Sequence, residues 1–281
     1  MPERTDITDD ALLGGRLHLL QPRRGHRFGH DAVLLAAAVP AKGGEHAVDL
    51  GAGIGAAGLS LLARVAEARA TLVEIDPGLA ALAAENIARN ALQGRARALT
   101  LDVAAPAQDF AARCLPTGCA DHVLMNPPFN DATHQPSPDA LRRQAHRGDA
   151  ILLKSWVSTA RRLLRPGGGL TLIWRAQGLP DVLQAMPDFA ALTVLPVQGK
   201  ADRPAIRVIV RGRLDGRIAE KGSVSFLPAL VLNDSDGKPT AEAENILREG
   251  RALSPAEASS PSAGGATPMP AQRPQSCRAA E

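Results

Sequence analysis

Short apolar runs alternate with longer Ala- and Leu-rich stretches through the middle of this chain. The short runs are bounded by Gly, Pro or Asp, which is typical of buried strands, whereas the longer stretches repeat apolar residues at helical spacing. The pattern predicts seven strands, with the sequences HAVDL (46–50), ATLVEID (70–76), ARALTLD (96–102), ADHVLMN (120–126), LTLIW (170–174), ALTVLPV (191–197) and AIRVIVRG (205–212).

Helices are predicted between these strands. The stretch at 77–92 begins with Pro77, and the stretch at 137–148 begins with Ser137 as N-cap and Pro138 at the first helical position. A further helix, at 149–169, is stopped by Pro166 and the three glycines after it. Strands alternating with helices predict an α/β fold: a doubly wound, mostly parallel, seven-stranded sheet with helices on both faces.

Composition divides the chain into three zones. Residues 1–44 mix basic and apolar residues and are predicted to form an N-terminal lid and hairpin segment. Residues 45–251 carry the alternating pattern of the main domain. Residues 252–281 are rich in Pro, Ser, Gly and Ala, and such a segment is predicted to be disordered because it has little apolar surface to bury.

Several functional classes are disfavoured by composition. The three cysteines form no disulfide framework and no metal-binding pair, so we expect a cytoplasmic protein with no metal. The longest apolar run, at 32–41, is shorter than the roughly 20 residues that cross a bilayer, and no signal peptide is recognised. A net charge of +3 permits nucleic-acid binding without requiring it. The sequence is compatible with either a monomer or a homodimer.

A glycine-rich turn follows the first predicted strand in VDLGAGIGAAG. Gly51, Gly53 and Gly55 allow a sharp turn and a close approach of the backbone to a ligand at a helix N-terminus. Glu74 closes the next strand, where a carboxylate can bind ribose hydroxyls. Gly53, Gly55 and Gly58 also satisfy the dinucleotide pattern GxGxxG, so this turn alone does not choose between cofactors.

Two further acidic residues help to distinguish between the possible cofactors. Asp49 precedes the first glycine, and Asp102 ends the third predicted strand. The resulting D-x-G-x-G-x-G run resembles the first motif of the Rossmann-like, class I methyltransferases, which use S-adenosyl-L-methionine. That resemblance implies that Asp102 accepts a hydrogen bond from the adenine amine and that the Val103 N–H serves the adenine ring. The alternative is that Asp49 and Asp102 are only caps or turn residues.

The sequence Asn126-Pro127-Pro128-Phe129 ends the fourth predicted strand and resembles motif IV of the amino-methyltransferases. An exocyclic amine is a poor nucleophile because its lone pair is delocalised. The Asn126 side-chain oxygen and the Pro127 carbonyl can accept both amine hydrogens and so free that lone pair. Pro128 restricts Pro127 to an extended conformation, which pre-organises the acceptors, and Phe129 offers the base a stacking surface.

The flanking segments resemble those of the bacterial tRNA1(Val) adenine-N6-methyltransferase family, over about residues 9 to 250. The matching stretches are QPRRGHRFGHDAVLLA, NPPFNDATHQPSPDALRRQAHRGDAILLKSW, DRPAIRVIVRG and LPALVLNDSDGKPTAEAENIL. The resemblance implies that Phe28 and Asp31 lie near the methionyl end of the cofactor. Alternatively, Phe28 is a core staple and Asp31 only complements the helix dipole. Phe129 departs from the family, which tends to carry Tyr there.

Basic side chains form two clusters in the sequence. Arg23, Arg24 and Arg27 crowd the N-terminal loop, and Arg142 and Arg143 crowd the helix after the NPPF stretch. If both stand at the mouth of the site, they can meet the phosphates of a structured RNA. The alternative is two solvated, Arg-rich surfaces.

The sequence therefore predicts an enzyme that methylates an exocyclic amine, foremost adenine N6 in tRNA next to the anticodon. A guanine-N2 rRNA methyltransferase and a protein glutamine methyltransferase share the loop and remain alternatives. A non-catalytic RNA-binding module with a vestigial fold is the third. The four candidate polar residues Asp49, Glu74, Asp102 and Asn126 are all intact, which disfavours the last of these.

Overall fold

A computed structural model of the chain describes residues 6–24, 28–128, 139–214 and 223–253, with the backbone only for residues 139–147. The strands are β1 Ile7–Leu12, β2 Leu17–Pro22, β3 His46–Leu50, β4 Arg69–Glu74, β5 Ala96–Thr100, β6 Ala120–Met125, β7 Leu164–Arg175, β8 Phe189–Lys200, β9 Ala205–Leu214, β10 Val224–Phe226 and β11 Leu230–Asn233. The helices are α1 His30–Ala38, α2 Ala56–Arg64, α3 Pro77–Arg89, α4 Ala107–Ala112, α5 Asp139–Leu163, α6 Leu179–Ala185 and α7 Ala241–Leu247.

The central sheet has the strand order β5-β4-β3-β6-β7-β9-β8-β10, and β11 also pairs with β8. Strand β9 is antiparallel to both of its neighbours, β7 and β8, while the other pairings are parallel. The predicted Rossmann-like α/β fold is confirmed, and all seven predicted strands are present. The sheet is wider than the expected seven strands because β10 and β11 join its edge. These two have only three and four residues, which is too short for a hydrophobic pattern to reveal.

Helices cover both faces of the sheet. Successive residues of a strand point to opposite faces, so one strand contributes side chains to the core on each side. Along β3, Ala47 belongs to a core cluster with α1, α2 and α3, whereas Val48 belongs to a second cluster with α5 and α6. Few aromatic side chains contribute, so the core is built mainly from Ala, Leu, Val and Ile. No helix within the described ranges combines the length and the apolarity that crossing a bilayer would take.

The N-terminal segment is packed onto the main domain. Strands β1 and β2 form a separate two-stranded hairpin, and α1 is buried from Ala32 to its end. The Asn86 amide of α3 holds the hairpin through both its atoms: Oδ1 accepts from the Leu20 N–H at 2.7 Å, and Nδ2 donates to the Leu20 carbonyl at 3.0 Å. Nδ2 also donates to the Ile54 carbonyl at 3.1 Å, so one buried side chain joins the hairpin to the glycine turn.

The last described residues pack against α1. Leu253 is 2% exposed, and its N–H donates to the Ala37 carbonyl at 3.0 Å. The segment predicted to be disordered from residue 252 therefore starts with two residues that are ordered and packed. Residues 254–281 lie outside the described part of the chain.

Candidate active site

The carboxyl ends of neighbouring parallel strands form one rim of the sheet, with β3 at its centre. Leu50 of β3 is level with Val73 of β4 on one side and with Met125 of β6 on the other. Because the chain winds outward from β3 in both directions, this is the topological switch point, where open α/β sheets bind their ligands. Most of the residues that the sequence predicts for the cofactor and the amine lie at or just after these strand ends.

The glycine turn after β3 needs glycine for conformational reasons. Gly51, Gly53 and Gly55 have φ angles of 70°, 56° and 90°, in the left-handed region that other residues rarely adopt. The N–H groups of Gly51 and Ala52 both donate to the Val73 carbonyl, at 2.8 and 2.9 Å. These bonds fold the turn back onto β4 and leave Gly55 as the N-cap of α2, where partly charged N–H groups face the rim.

Asp49 lies under this turn and is 2% exposed. Its Oδ2 accepts a hydrogen bond from the Gly58 N–H at 2.8 Å, which ties the first turn of α2 to β3. A Cβ atom on Gly58 would come within 3.0 Å of the Leu72 side chain, so the helix can approach the sheet this closely only at a glycine. The buried Asp49 carboxylate therefore stabilises the position of α2, and with it the glycine turn, through its hydrogen bond with Gly58.

Glu74 supports the same turn from the end of β4. Its Oε2 accepts from the Gly53 N–H at 2.8 Å, and its Oε1 accepts from the Asp76 N–H at 2.9 Å. An ionised carboxylate offers about four acceptor sites, so these two bonds leave capacity for hydroxyl donors of a ligand. The side chain is buried but lies at the rim, where the turn opens.

Asp102 and Val103 form the turn that follows β5. The Asp102 carboxylate accepts from the Ala104 N–H at 2.8 Å, and the residue is otherwise exposed to solvent. Val103 is 3% exposed and packs into the core cluster on the α5 side of the sheet. The predicted strand included Asp102, whereas β5 ends at Thr100, so both residues belong to the loop at the rim.

Asn126, Pro127 and Pro128 follow β6 directly. The predicted strand included Asn126, whereas β6 ends at Met125. Met125, the last residue of β6, is level with Leu50, the last residue of the adjacent strand β3. Asn126 and Gly51 are therefore the first residues after two neighbouring strand ends. Pro127 is buried, Asn126 is half-buried and Pro128 is exposed. Phe129 lies outside the described residues.

The start of α1 brings Phe28 and Asp31 to the same edge of the sheet. The Phe28 N–H donates to Gln21 Oε1 at 3.2 Å, and its side chain packs against the core cluster of α1 and α2. The Asp31 carboxylate forms an ion pair with Arg207 of β9, with 2.9 Å between Nε and Oδ2. Because β9 is antiparallel, its first residues stand at the carboxyl edge of the parallel strands.

Two ion-paired arginines at this edge were missed by sequence reasoning. Arg207 is paired across the sheet with Arg175, the last residue of β7, and Arg175 forms a buried ion pair with Asp149 of α5. Burying two charges is costly unless they are well paired, which makes such pairs uncommon in a core. The sequence offered one indication of these ion pairs: Arg175 and Arg207 each interrupt an otherwise apolar run, LTLIWRA and AIRVIVRG.

The predicted RNA-binding arginines are only partly described. Arg23 and Arg24 are exposed after β2, on the loop that leads to α1. Arg142 and Arg143 lie on the first turns of α5, where the structure gives the backbone alone, and Arg27 lies outside the described residues. Among the described side chains, no group of three metal-binding residues converges.

The environment of Asp49 makes a pH-dependent prediction. Burial raises the pKa of Asp49 from 3.8 to about 7; the Gly58 N–H opposes this rise, and the nearby Glu74 charge adds to it. A raised folded-state pKa means that the stability contributed by Asp49 is complete below pH 3.8 and is lost as the pH rises through about 7. Asp49→Asn removes this titration and keeps an oxygen for Gly58.

We therefore expect the free energy of unfolding of Asp49→Asn, minus that of the wild type, to increase by a few kcal/mol as the pH rises across this window. Urea unfolding of both proteins over the same pH range measures the difference. The subtraction cancels groups common to both, such as His46, whose pKa is lowered mainly by burial. A difference that does not change with pH would contradict the assignment.

Comparison with known proteins shows which family this chain belongs to. Residues 26–195 match the model of the methyltransferase small domain. Relatives named tRNA1(Val) (adenine(37)-N6)-methyltransferase include those of Tolumonas auensis, 29% identical over 56% of this chain and 63% of the relative, and Porphyromonas gingivalis, 31% identical over 56% and 61%. The chain thus spans less than two thirds of the length of these two relatives. The relative of the same name in Dickeya chrysanthemi is 26% identical over 79% of this chain and 87% of its own length.

Solved structures give the same answer for the fold. A predicted O-methyltransferase from Agrobacterium tumefaciens superposes with a TM-score of 0.65 at 27% identity, over 79% of this chain and 98% of that one. The 16S rRNA N2 methyltransferase of T. thermophilus, solved with AdoMet and guanosine, superposes with a TM-score of 0.50 at 20% identity, over 74% and 50%, which speaks to the fold alone. The family model covers more than half of the chain, and this protein therefore belongs to the methyltransferase small domain family.

Proposed function

We propose that this protein transfers a methyl group from S-adenosylmethionine to an exocyclic amine, and that the amine is N6 of an adenine in tRNA. The observation that carries the proposal is the position of Asn126 and Pro127. They follow β6 beside the glycine turn that follows β3, since Met125 and Leu50 are level in the paired strands. A methyl donor on the turn and an amine at Asn126 would therefore be neighbours.

The described residues fit the cofactor. A Cβ atom on Gly53 would meet nothing within 4 Å, so the turn presents open backbone to the rim. Glu74 would accept from the ribose hydroxyls with the capacity left after its bond from Gly53, and Asp102 and the Val103 N–H would serve the adenine. When bound, the cofactor supplies an electrophilic methyl group on a sulfonium. Acidic side chains at successive strand ends suit such a cationic ligand.

The acceptor pair would activate the amine. The amine would donate one hydrogen bond to the Asn126 side-chain oxygen and the other to the Pro127 carbonyl, which draws the nitrogen toward a pyramidal form with its lone pair free. Pro127 is buried and Pro128 restricts it, so the carbonyl is held in place before substrate arrives. Phe129 would stack on the base. The methylated nitrogen is positively charged and acidic, so it releases one of its two hydrogens to water as a proton, and no strong base is required of the protein.

The choice of adenine in tRNA rests on the relatives. Those of Tolumonas auensis, Porphyromonas gingivalis and Dickeya chrysanthemi all carry the name tRNA1(Val) (adenine(37)-N6)-methyltransferase. The exposed Arg23 and Arg24 lie on the loop that leads from the hairpin to α1, and would meet RNA phosphates at the mouth of the site. The protein would meet a tRNA substrate in the cytoplasm.

Incubation with methyl-labelled cofactor separates the possible substrate classes. Purified protein is given total tRNA, ribosomal RNA or total cell protein in separate reactions, each repeated with Asn126→Ala. We expect label in the tRNA reaction alone, and none with the variant. Label confined to ribosomal RNA would favour a guanine-N2 enzyme, and label confined to protein would favour a glutamine methyltransferase. Absence of transfer from all three would indicate a non-catalytic module.

A further inference from the structure

A buried hydrogen bond joins helix α5 to the turn that follows β5. The Thr159 hydroxyl donates to the Val103 carbonyl at 2.8 Å, and both residues are buried, at 5% and 3% exposure. A threonine or serine inside a helix commonly returns its hydroxyl to the carbonyl four residues earlier, as Ser60 does with Ala56 at 2.7 Å. Thr159 instead crosses to another element, 56 positions away along the chain.

The other end of the same peptide group holds the Asp102 carboxylate. The Val103 carbonyl and the Ala104 N–H belong to one planar peptide unit, and that N–H donates to Asp102 Oδ1 at 2.8 Å. Because the unit is rigid, the Thr159 hydroxyl fixes the direction in which the Ala104 N–H points. The chain of bonds therefore runs from Thr159 through one peptide plane to Asp102, and linked hydrogen bonds strengthen one another.

A second donor from α5 supports the same turn. Arg162 donates to the Ala105 carbonyl at 3.1 Å, and the Ala105 N–H donates to the Asp102 carbonyl at 3.0 Å. One turn of helix before Thr159, the Trp156 ring packs so closely on Gly51 that a Cβ atom there would come within 3.0 Å of it. Helix α5 thus contacts both turns that the proposed cofactor would touch.

We propose that Thr159 is a positioning residue, which orients the Asp102 carboxylate to recognise the exocyclic amine of the cofactor's adenine. The inference rests on the proposed function, since it needs an adenosyl cofactor on this rim. The buried carbonyl of Val103 loses its partner when the hydroxyl is removed, so the peptide plane is free to turn and Asp102 loses its fixed direction.

The test compares Thr159→Val with Thr159→Ser by calorimetric titration of two ligands. S-adenosylhomocysteine carries the adenine amine, and S-inosylhomocysteine carries an oxygen in its place. Thr159→Val is expected to weaken binding of the adenosyl ligand by about fivefold to tenfold, the loss of one buried hydrogen bond. Binding of the inosyl ligand changes little, and Thr159→Ser keeps the wild-type preference because it keeps the donor.

An equal loss for both ligands would show that Thr159 only supports the fold, and unchanged binding of both would also overturn the inference. Asp102→Ala removes the acceptor itself, so adding Thr159→Val to it should cause no further loss of adenosyl-ligand binding, and additive losses would contradict the relay. If Thr159→Val does not fold, Thr159→Ala carries the same expectation. No RNA is used, so intact binding without methyl transfer would refute the proposed substrate only, whereas a wild type that binds neither ligand would refute both proposals.

Discussion

Replacing Asn126 with Ala is expected to lower the turnover number for methyl transfer by about 10²–10³-fold, the typical cost of removing one pre-organised polar group from a site. The side chain supplies one of the two acceptors for the amine hydrogens, and no other described residue stands at the end of β6 to replace it. Cofactor binding should change by less than about twofold, since the glycine turn is untouched. Single-turnover kinetics and calorimetric titration with S-adenosylhomocysteine measure the two quantities.

Two further variants make the Asn126 result specific. Asn245→Ala removes the same side chain from α7 and should leave turnover unchanged. Asn126→Asp keeps an acceptor oxygen at the same place, so it should retain more activity than Asn126→Ala. Wild-type turnover in Asn126→Ala, or an equal loss in Asn245→Ala, would refute the acceptor mechanism.

Replacing Gly51 with Ala should cause the largest loss of stability among the glycine-turn variants. Its φ of 70° costs a side chain about 1–2 kcal/mol. The added Cβ would also lie within 3.0 Å of the Trp156 ring, and overpacking of this kind costs about 1–3 kcal/mol more. We expect a total loss of about 3 kcal/mol in the free energy of unfolding, measured by urea denaturation.

Gly53→Ala is the matched control for Gly51→Ala. Gly53 has a φ of 56°, but an added Cβ would meet nothing within 4 Å, so only the backbone cost of about 1–2 kcal/mol remains. Trp156→Phe removes the ring atoms that a Cβ atom at position 51 would meet. The double variant of Gly51→Ala and Trp156→Phe should therefore lose less stability than the sum of the single variants. Equal losses for Gly51→Ala and Gly53→Ala would contradict the close contact with Trp156.

Much of the sheet could be read from local pattern. The apolar runs that became β3 to β9 are long enough for burial to leave a clear signal, and Pro77 marks the start of α3 within one residue. The glycine turn was recognisable because left-handed backbone requires glycine at fixed positions. The end of β6 was recognisable because two adjacent prolines cannot continue a central strand.

What pattern could not supply is pairing between distant residues. Asp31 meets Arg207 across 176 positions, and Asp149 meets Arg175 across 26, and each pair depends on how α1 and α5 pack onto the sheet. The hydroxyl of Thr159 gave no sign in the sequence that it would leave its own helix. Leu253 stands in a Pro- and Ser-rich segment, yet it is buried because α1 presents it a carbonyl and an apolar surface.

The identity of the methylated nucleoside tests the central claim most directly. Total tRNA is incubated with purified protein and methyl-labelled cofactor, digested to nucleosides, and resolved by chromatography with mass detection. We predict labelled N6-methyladenosine as the product of the wild type, and its absence with Asn126→Ala. Labelled N2-methylguanosine, or an unlabelled digest from a protein that binds the cofactor, would contradict the assignment of adenine N6 as the amine held by Asn126 and Pro127.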